Sequence, residues 1–297
     1  MAAFIDSLRR TYRFGSTAVK LVFINVGVFL LLRIASLILT LSGVDVQTHL
    51  LQWIELPSSL YGVAMRPWTV ITYMFAQYEV FHMLFNVLWL YWFGALFLYC
   101  GTPRQFVALY IYGGLAGAVL YIAAFASLPY FYGSFGCLIG SSASVLAIVV
   151  ATVWRMPDYK IGLLFIGDVA LKWIAAITVL ISLLSIPGEN AGGNIAHLGG
   201  AAMGAVYGMA MGRGRDITAP FNALIDKIVN MTHRVADMFR HRKTAKPSGA
   251  SPASGAGSAR ADEETLDIIL DKIKKSGYSA LTADERKRLF DVSRRMK

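Results

Sequence analysis

Residues 80–127 read VFHMLFNVLWLYWFGALFLYCGTPRQFVALYIYGGLAGAVLYIAAFAS, and Arg104 is the single Asp, Glu, Lys or Arg among them. Two apolar blocks, 80–100 and 105–127, flank a short connection. Each is longer than the about 18 residues at which an uncharged helix can cross a hydrocarbon core of about 30 Å. Their apolar residues are continuous rather than spaced along one helical stripe, so these are not the amphipathic helices of a water-soluble domain.

The pattern recurs on both sides. Further apolar spans lie near 21–43, 141–154, 169–186 and 194–213, which makes six. The chain of 297 residues is 56% hydrophobic and 15% charged, with a mean hydropathy of +0.54. That composition cannot supply the polar exterior of a soluble domain this large. The sequence predicts an all-α integral membrane protein with a six-helix membrane domain over 21–213. The first block begins too late and runs too long for a cleaved signal peptide. The fourth span is too short to cross unaided, and the glycine-rich, aromatic stretch 128–140 (LPYFYGSFGCLIG) is expected to cover it as a loop. The 44–79 connection is too apolar for a solvated loop; it reads as a structured element at the outer interface, anchored by Trp53, Tyr61, Trp68 and Tyr73.

The net charge of +10 invites a nucleic-acid reading. The basic residues, however, fall in short connections and the tail, as lysine and arginine do on the cytoplasmic side of membrane proteins, so nucleic acid is not an expected partner and the lipid bilayer is. Residues 1–20, Arg104, the connection with Arg155, Lys160 and Lys172, and the tail are basic. The opposite connections, 44–79, 128–140 and 187–193, hold only Arg66. Both termini are therefore predicted to be cytoplasmic, in a bacterium on the inner membrane. Arg33 is anomalous, lying mid-span in the first block. Cys100 and Cys137 are the only cysteines; the topology sends them to opposite faces, too far apart for a disulfide.

Beyond the membrane domain, residues 214–243 read as a basic amphipathic helix, with Phe221, Leu224, Ile228, Met231, Val235 and Met238 in one stripe. An anionic leaflet is the favoured surface for it. Residues 244–262 are a Pro/Gly/Ser/Ala linker. Residues 263–297 read as a small cytoplasmic helical hairpin, broken at Ser276-Gly277, its second helix capped by Thr282 with Glu285 three positions on. Two helices of that size are marginal alone, so a docking partner for them is expected without being identified.

Ionisable groups inside a membrane domain are costly and mark function. Of five histidines only His82 and His197 fall within spans. His82 is read in the first turn of the second span and His197 in the first turn of the sixth. Both spans run from outside inward, as does the fourth, which opens Gly140-Ser141-Ser142. Three polar helix starts thus converge at one depth. Ser142 at a helix N-terminus has unpaired backbone N–H groups beside it, suited to an oxyanion. Taken alone, a serine there reads more readily as close helix packing, and Ser141 and Ser144 compete for the role. A hydroxyl is a poor nucleophile until a base takes its proton, and an imidazole serves for that. His197 alone reads as an interhelical hydrogen-bonding histidine. With no carboxylate in these turns, a two-residue Ser142–His197 dyad is the reading, rather than a triad. His82 and Asn86, at i and i+4, share a helix face and suit an oxyanion or, equally, a polar staple between helices. Ala143, Ala147 and Ala151 on one span and Gly200, Gly204 and Gly208 on another form small-residue faces that allow close approach.

These residues resemble the rhomboid family of intramembrane serine proteases. The resemblance rests on His82-Met83-Leu84-Phe85-Asn86, on Gly140-Ser141-Ser142-Ala143 and on Ala196-His197-Leu198-Gly199-Gly200, in order on the second, fourth and sixth spans. It covers about residues 15–213. It implies a rhomboid-like six-helix bundle that hydrolyses peptide bonds of transmembrane protein substrates through an acyl-enzyme, without metal or cofactor. Ser142 would be the nucleophile and His197 the general base, with His82, Asn86 and the Ser142 backbone N–H as oxyanion hole. The first loop would be the 44–79 connection, where Arg66-Pro67-Trp68 lies. The motif departs from the family's in Ala143, where glycine is usual, and in Leu146, where an aromatic residue that stacks on the histidine is often found. Two other classes of function fit the sequence less well. A catalytically silent relative that binds membrane clients would be signalled by loss of the serine or histidine, and both are present. A transporter would need polar groups through the whole thickness, and the inner halves of these spans are apolar or small.

Overall fold

The computed structural model describes residues 2–163 and 167–244, together with 269, 281, 282, 285 and 289. Most of the predicted linker and hairpin therefore lies outside the described residues. Of the hairpin, Thr282 and Glu285 make the reciprocal exchange expected of a capping box: the Thr282 N–H donates to Glu285 Oε2 (2.7 Å) and the Glu285 N–H to Thr282 Oγ1 (3.3 Å). The chain divides into two units, residues 1–232 and 233–297, the first being the larger.

It is built of helices. α1 (Ala2–Phe14) precedes α2 (Thr17–Leu41), whose N-terminus Ser16 caps by accepting from Val19 N–H. The 44–79 connection is structured, as expected. It holds α3 (Val46–His49), a 3-10 turn (Leu51–Trp53), β1 (Leu56–Pro57), α4 (Leu60–Met65) and α5 (Thr69–Thr72). Trp53 and Trp68 stack at 6.2 Å, and Trp68 Nε1 donates to the Trp53 carbonyl (2.9 Å). Arg66 donates to the Gln52 carbonyl. Tyr73 is not an interface anchor: it is buried, and its hydroxyl donates to the Gly114 carbonyl (2.6 Å).

α6 (Val80–Cys100) and α7 (Pro103–Ser127) follow. Thr102 and Gln105 form a capping box, and Pro103 takes the first helical position, where its missing N–H costs nothing. After a 3-10 turn (Pro129–Phe131), β2 (Cys137–Leu138) pairs antiparallel with β1, Leu56 opposite Leu138, and so ties the 128–140 loop to the first connection. α8 (Ser142–Arg155) is next, then an antiparallel ribbon of β3 (Lys160–Leu163) and β4 (Gly167–Ala170) that the sequence did not suggest. α9 (Leu171–Leu184), α10 (Ala191–Gly212) and α11 (Ala219–Thr244) complete the order. Asn190 caps α10, which starts at Ala191, three residues before the expected 194, so His197 lies in its second turn rather than its first.

Among the described residues, three helices, α2, α6 and α7, are long and apolar enough to cross a membrane. α8 and α9 are apolar but have 14 residues each, which is only about 21 Å at the helical rise. α8 is the buried centre, with Ala147, Ile148, Val149 and Ala151 fully enclosed. Exposed large apolar side chains instead cover the outside, among them Leu31, Ile34 and Leu37 of α2, Phe81 and Trp92 of α6, and Ile181 and Leu184 of α9. Apolar cover of that extent marks a surface that meets lipid, and the protein is a membrane protein. Arg33 is exposed on α2, its guanidinium 4.8 Å from the Tyr78 ring centre.

The small residues set the spacing at the centre, in a three-helix rather than two-helix arrangement. A Cβ on Gly200 would strike the Ala143 carbonyl, and one on Gly204 the Ala147 carbonyl, so α10 lies directly on the α8 backbone. The Ala143 methyl points instead at Gly117, and the Ala147 methyl at Gly113, both on α7.

Candidate functional site

A cavity of about 120 Å³ is lined by Phe85, Asn86 and Trp89 of α6, Ser142, Val145 and Leu146 of α8, Thr178 of α9 and His197 of α10. Ser142, His197 and Asn86, from three helices, thus share one space. Ser142 is the first residue of α8, and Ser141 before it makes no side-chain cap to the helix. Gly140 has φ +136°, a conformation that side chains disfavour, and its N–H donates to the Tyr73 carbonyl (3.0 Å). That bend turns the chain from β2 into α8.

The two competing serines face elsewhere. Ser141 is buried and accepts from Gln77 Nε2 (3.3 Å). Ser144 is fully buried toward α7, where a Cβ on Gly114 would come within 2.8 Å of its hydroxyl, and that hydroxyl has no hydrogen-bond partner. His82 is not among the lining residues. It is half-buried, and its ring lies against Gly140, whose Cβ would come within 2.8 Å of His82 Cε1.

Two groups of residues that the motifs did not single out hold the site residues. The first is a buried polar chain. Asn86 Nδ2 donates to Gln77 Oε1 (2.9 Å), and Gln77 Nε2 reaches Ser141 Oγ (3.3 Å) and Asn25 Oδ1 (3.4 Å). Asn25 Nδ2 donates to the Leu21 carbonyl (3.0 Å), and the Tyr110 hydroxyl lies 2.6 Å from the Met74 carbonyl and 3.2 Å from Asn25 Oδ1. The amide of Asn86 has a second N–H, so its bond to Gln77 leaves a donor for the cavity. The second group is Ser182 of α9, whose Oγ is 3.2 Å from His197 Nδ1. Polar side chains in apolar stretches were the available signal for Asn25, Gln77 and Ser182, but their partners lie up to 85 residues away. Among the described residues, no three His, Cys, Asp or Glu side chains gather to hold a metal ion.

Two family models match the chain. The Rhomboid domain covers residues 64–214, half of the chain, and a family of unknown function (DUF6576) covers residues 259–295, within the tail. The chain belongs to the rhomboid family. It is 30% identical over 138 residues to presenilin-associated rhomboid-like protein A, mitochondrial, of Danio rerio, covering 45% of this chain and 34% of that protein. It is 28% identical over 160 residues to RHOMBOID-like protein 12, mitochondrial, of Arabidopsis thaliana, covering 50% and 47%. Against the presenilin-associated rhomboid-like protein, mitochondrial, of Homo sapiens it is 26% identical over 140 residues, covering 45% and 35%. The chain thus spans less than half the length of these relatives.

Proposed function

We propose that the protein is an intramembrane serine endopeptidase that cleaves transmembrane protein substrates with a Ser142–His197 dyad. The observation that carries this reading is the one cavity lined by Ser142, His197 and Asn86, at the start of a helix in a rhomboid domain. In this reading α2, α6, α7, α8, α9 and α10 form a six-helix membrane bundle, the fourth short and covered by the 128–140 loop. The basic connections face the cytoplasm or, in an organelle of the kind named for the relatives, its matrix.

The chemistry follows from the residue types. His197 accepts the Ser142 Oγ proton as that oxygen attacks the scissile carbonyl carbon. The carbonyl π electrons move to the oxygen, where the Ser142 N–H, Asn86 Nδ2 and His82 donate to the oxyanion. When the tetrahedral intermediate collapses, His197 protonates the departing amine and the acyl-enzyme remains. Water then gives a proton to His197, attacks the ester and releases the carboxyl product, returning the proton to Ser142.

The test is cleavage of a single-span substrate with a destabilised helix, in detergent or liposomes. Wild type and Ser141→Ala are expected to cut, and Ser142→Ala and His197→Ala to lose activity by a factor of about 10³ or more. Loss in Ser141→Ala alone would move the nucleophile. If no variant cuts, a fluorophosphonate probe decides: labelling of Ser142 in wild type supports a protease offered the wrong substrate. Absence of labelling indicates a silent client-binding relative.

A further inference from the structure

We propose that Ser182, on α9, is a positioning residue that fixes the tautomer and orientation of His197; this rests on the reading of His197 as the base. Ser182 is 4% exposed and makes two contacts at once: its hydroxyl donates to the Thr178 carbonyl (3.0 Å), and its oxygen lies 3.2 Å from His197 Nδ1. A serine hydroxyl carries one hydrogen, and a carbonyl can only accept. If that hydrogen goes to Thr178, the contact with His197 is satisfied only when Nδ1 carries a proton and donates it to Ser182 Oγ. A neutral imidazole with hydrogen on Nδ1 has its free lone pair on Nε2. Nε2 is then the atom available to take the Ser142 proton.

The rest of the cavity leaves this task to Ser182. Leu146, one turn after Ser142, lines the same space and has no polar atom with which to orient a ring. Thr178, which α9 contributes to that lining, spends its hydroxyl hydrogen on the Ile174 carbonyl (2.7 Å). α9 itself is mostly exposed and buries only Leu171, Ala175 and Ser182. Of these Ser182 alone is polar, and it is the one against the histidine.

The experiment compares full-length wild type with Ser182→Ala, Ser182→Thr and Ser182→Val on the single-span substrate, separating kcat from KM. Loss of one net hydrogen bond predicts a roughly tenfold fall in kcat, with KM unchanged, in Ser182→Ala and Ser182→Val. Ser182→Thr keeps the hydroxyl and is expected to stay near wild type although it has the same shape as valine. Fluorophosphonate labelling of Ser142 should slow in parallel, which gives a readout without a substrate. In a His197→Ala background, Ser182→Ala should add nothing, because a residue acting through His197 has nothing left to position. Equal losses in Ser182→Thr and Ser182→Val, or a full further loss in the His197→Ala background, would overturn the positioning role in favour of packing. Wild-type kcat in Ser182→Ala, with His197→Ala inactive, would sink this inference alone. Undiminished activity in His197→Ala would sink the base assignment and this inference with it.

Discussion

At the residue scale, Gln77 shows how a side chain absent from any motif governs one that belongs to it. It is fully buried and accepts from Asn86 while its own amide reaches Ser141 and Asn25. Each of those groups, if orphaned, costs about 1–3 kcal/mol in an apolar interior. Gln77→Leu is therefore expected to lower the thermal midpoint and to slow cleavage by freeing Asn86 to turn from the cavity. Gln77→Glu retains the acceptor for Asn86 and should fall less in kcat than in stability. Unchanged melting and cleavage in Gln77→Leu would show that Asn86 is held by helix packing alone.

At the element scale the site depends on how close α8 and α10 come. Gly200 sits over the Ala143 carbonyl without room for a Cβ, one residue from the serine and three from the histidine. Gly200→Val must push α10 away from α8. Overpacking of this kind costs about 1–3 kcal/mol, and it separates Ser142 from His197 in the same movement. We expect loss of cleavage together with a lower thermal midpoint. Gly27→Ala is the control: a Cβ there meets nothing within 4 Å, so stability should hold or rise slightly, as alanine favours a helix over glycine. If Gly200→Val cuts as wild type does, the α8–α10 contact does not set the dyad.

At the scale of the whole molecule, orientation in the membrane is read from charge and can be checked with the two native thiols. Cys137 is exposed on β2 and Cys100 ends α6, both unpaired. Although one side of Cys137 is open, the neighbours packed on its other side keep water from the thiol, and with the Glu55 carboxylate nearby they push it up to about 11. Since the thiolate is the reactive form, a membrane-impermeant maleimide added outside oriented vesicles should label Cys137 slowly at neutral pH. The rate should climb as pH rises toward 11. Cys100 should react only after detergent opens the inner face. Labelling of Cys100 from outside, with Cys137 protected, would reverse the proposed orientation.

Several features follow from local sequence because their causes are local. An uncharged run such as 80–100 is driven into lipid whatever its neighbours are, and Thr102-Pro103 starts a helix by its own chemistry. The order of His82, Ser142 and His197 along the spans sufficed to suggest family and chemistry. Tertiary structure alone decided what each side chain faces. Ser141, Ser142 and Ser144 are near neighbours in sequence, yet only Ser142 lines the cavity, because helix rotation turns the others toward Gln77 and Gly114. The bonds from Gln77 to Asn86 and Ser141, and from Ser182 to His197, join separate elements. Their geometry is set by how the elements pack in three dimensions, and no periodicity within one helix encodes the distance to another.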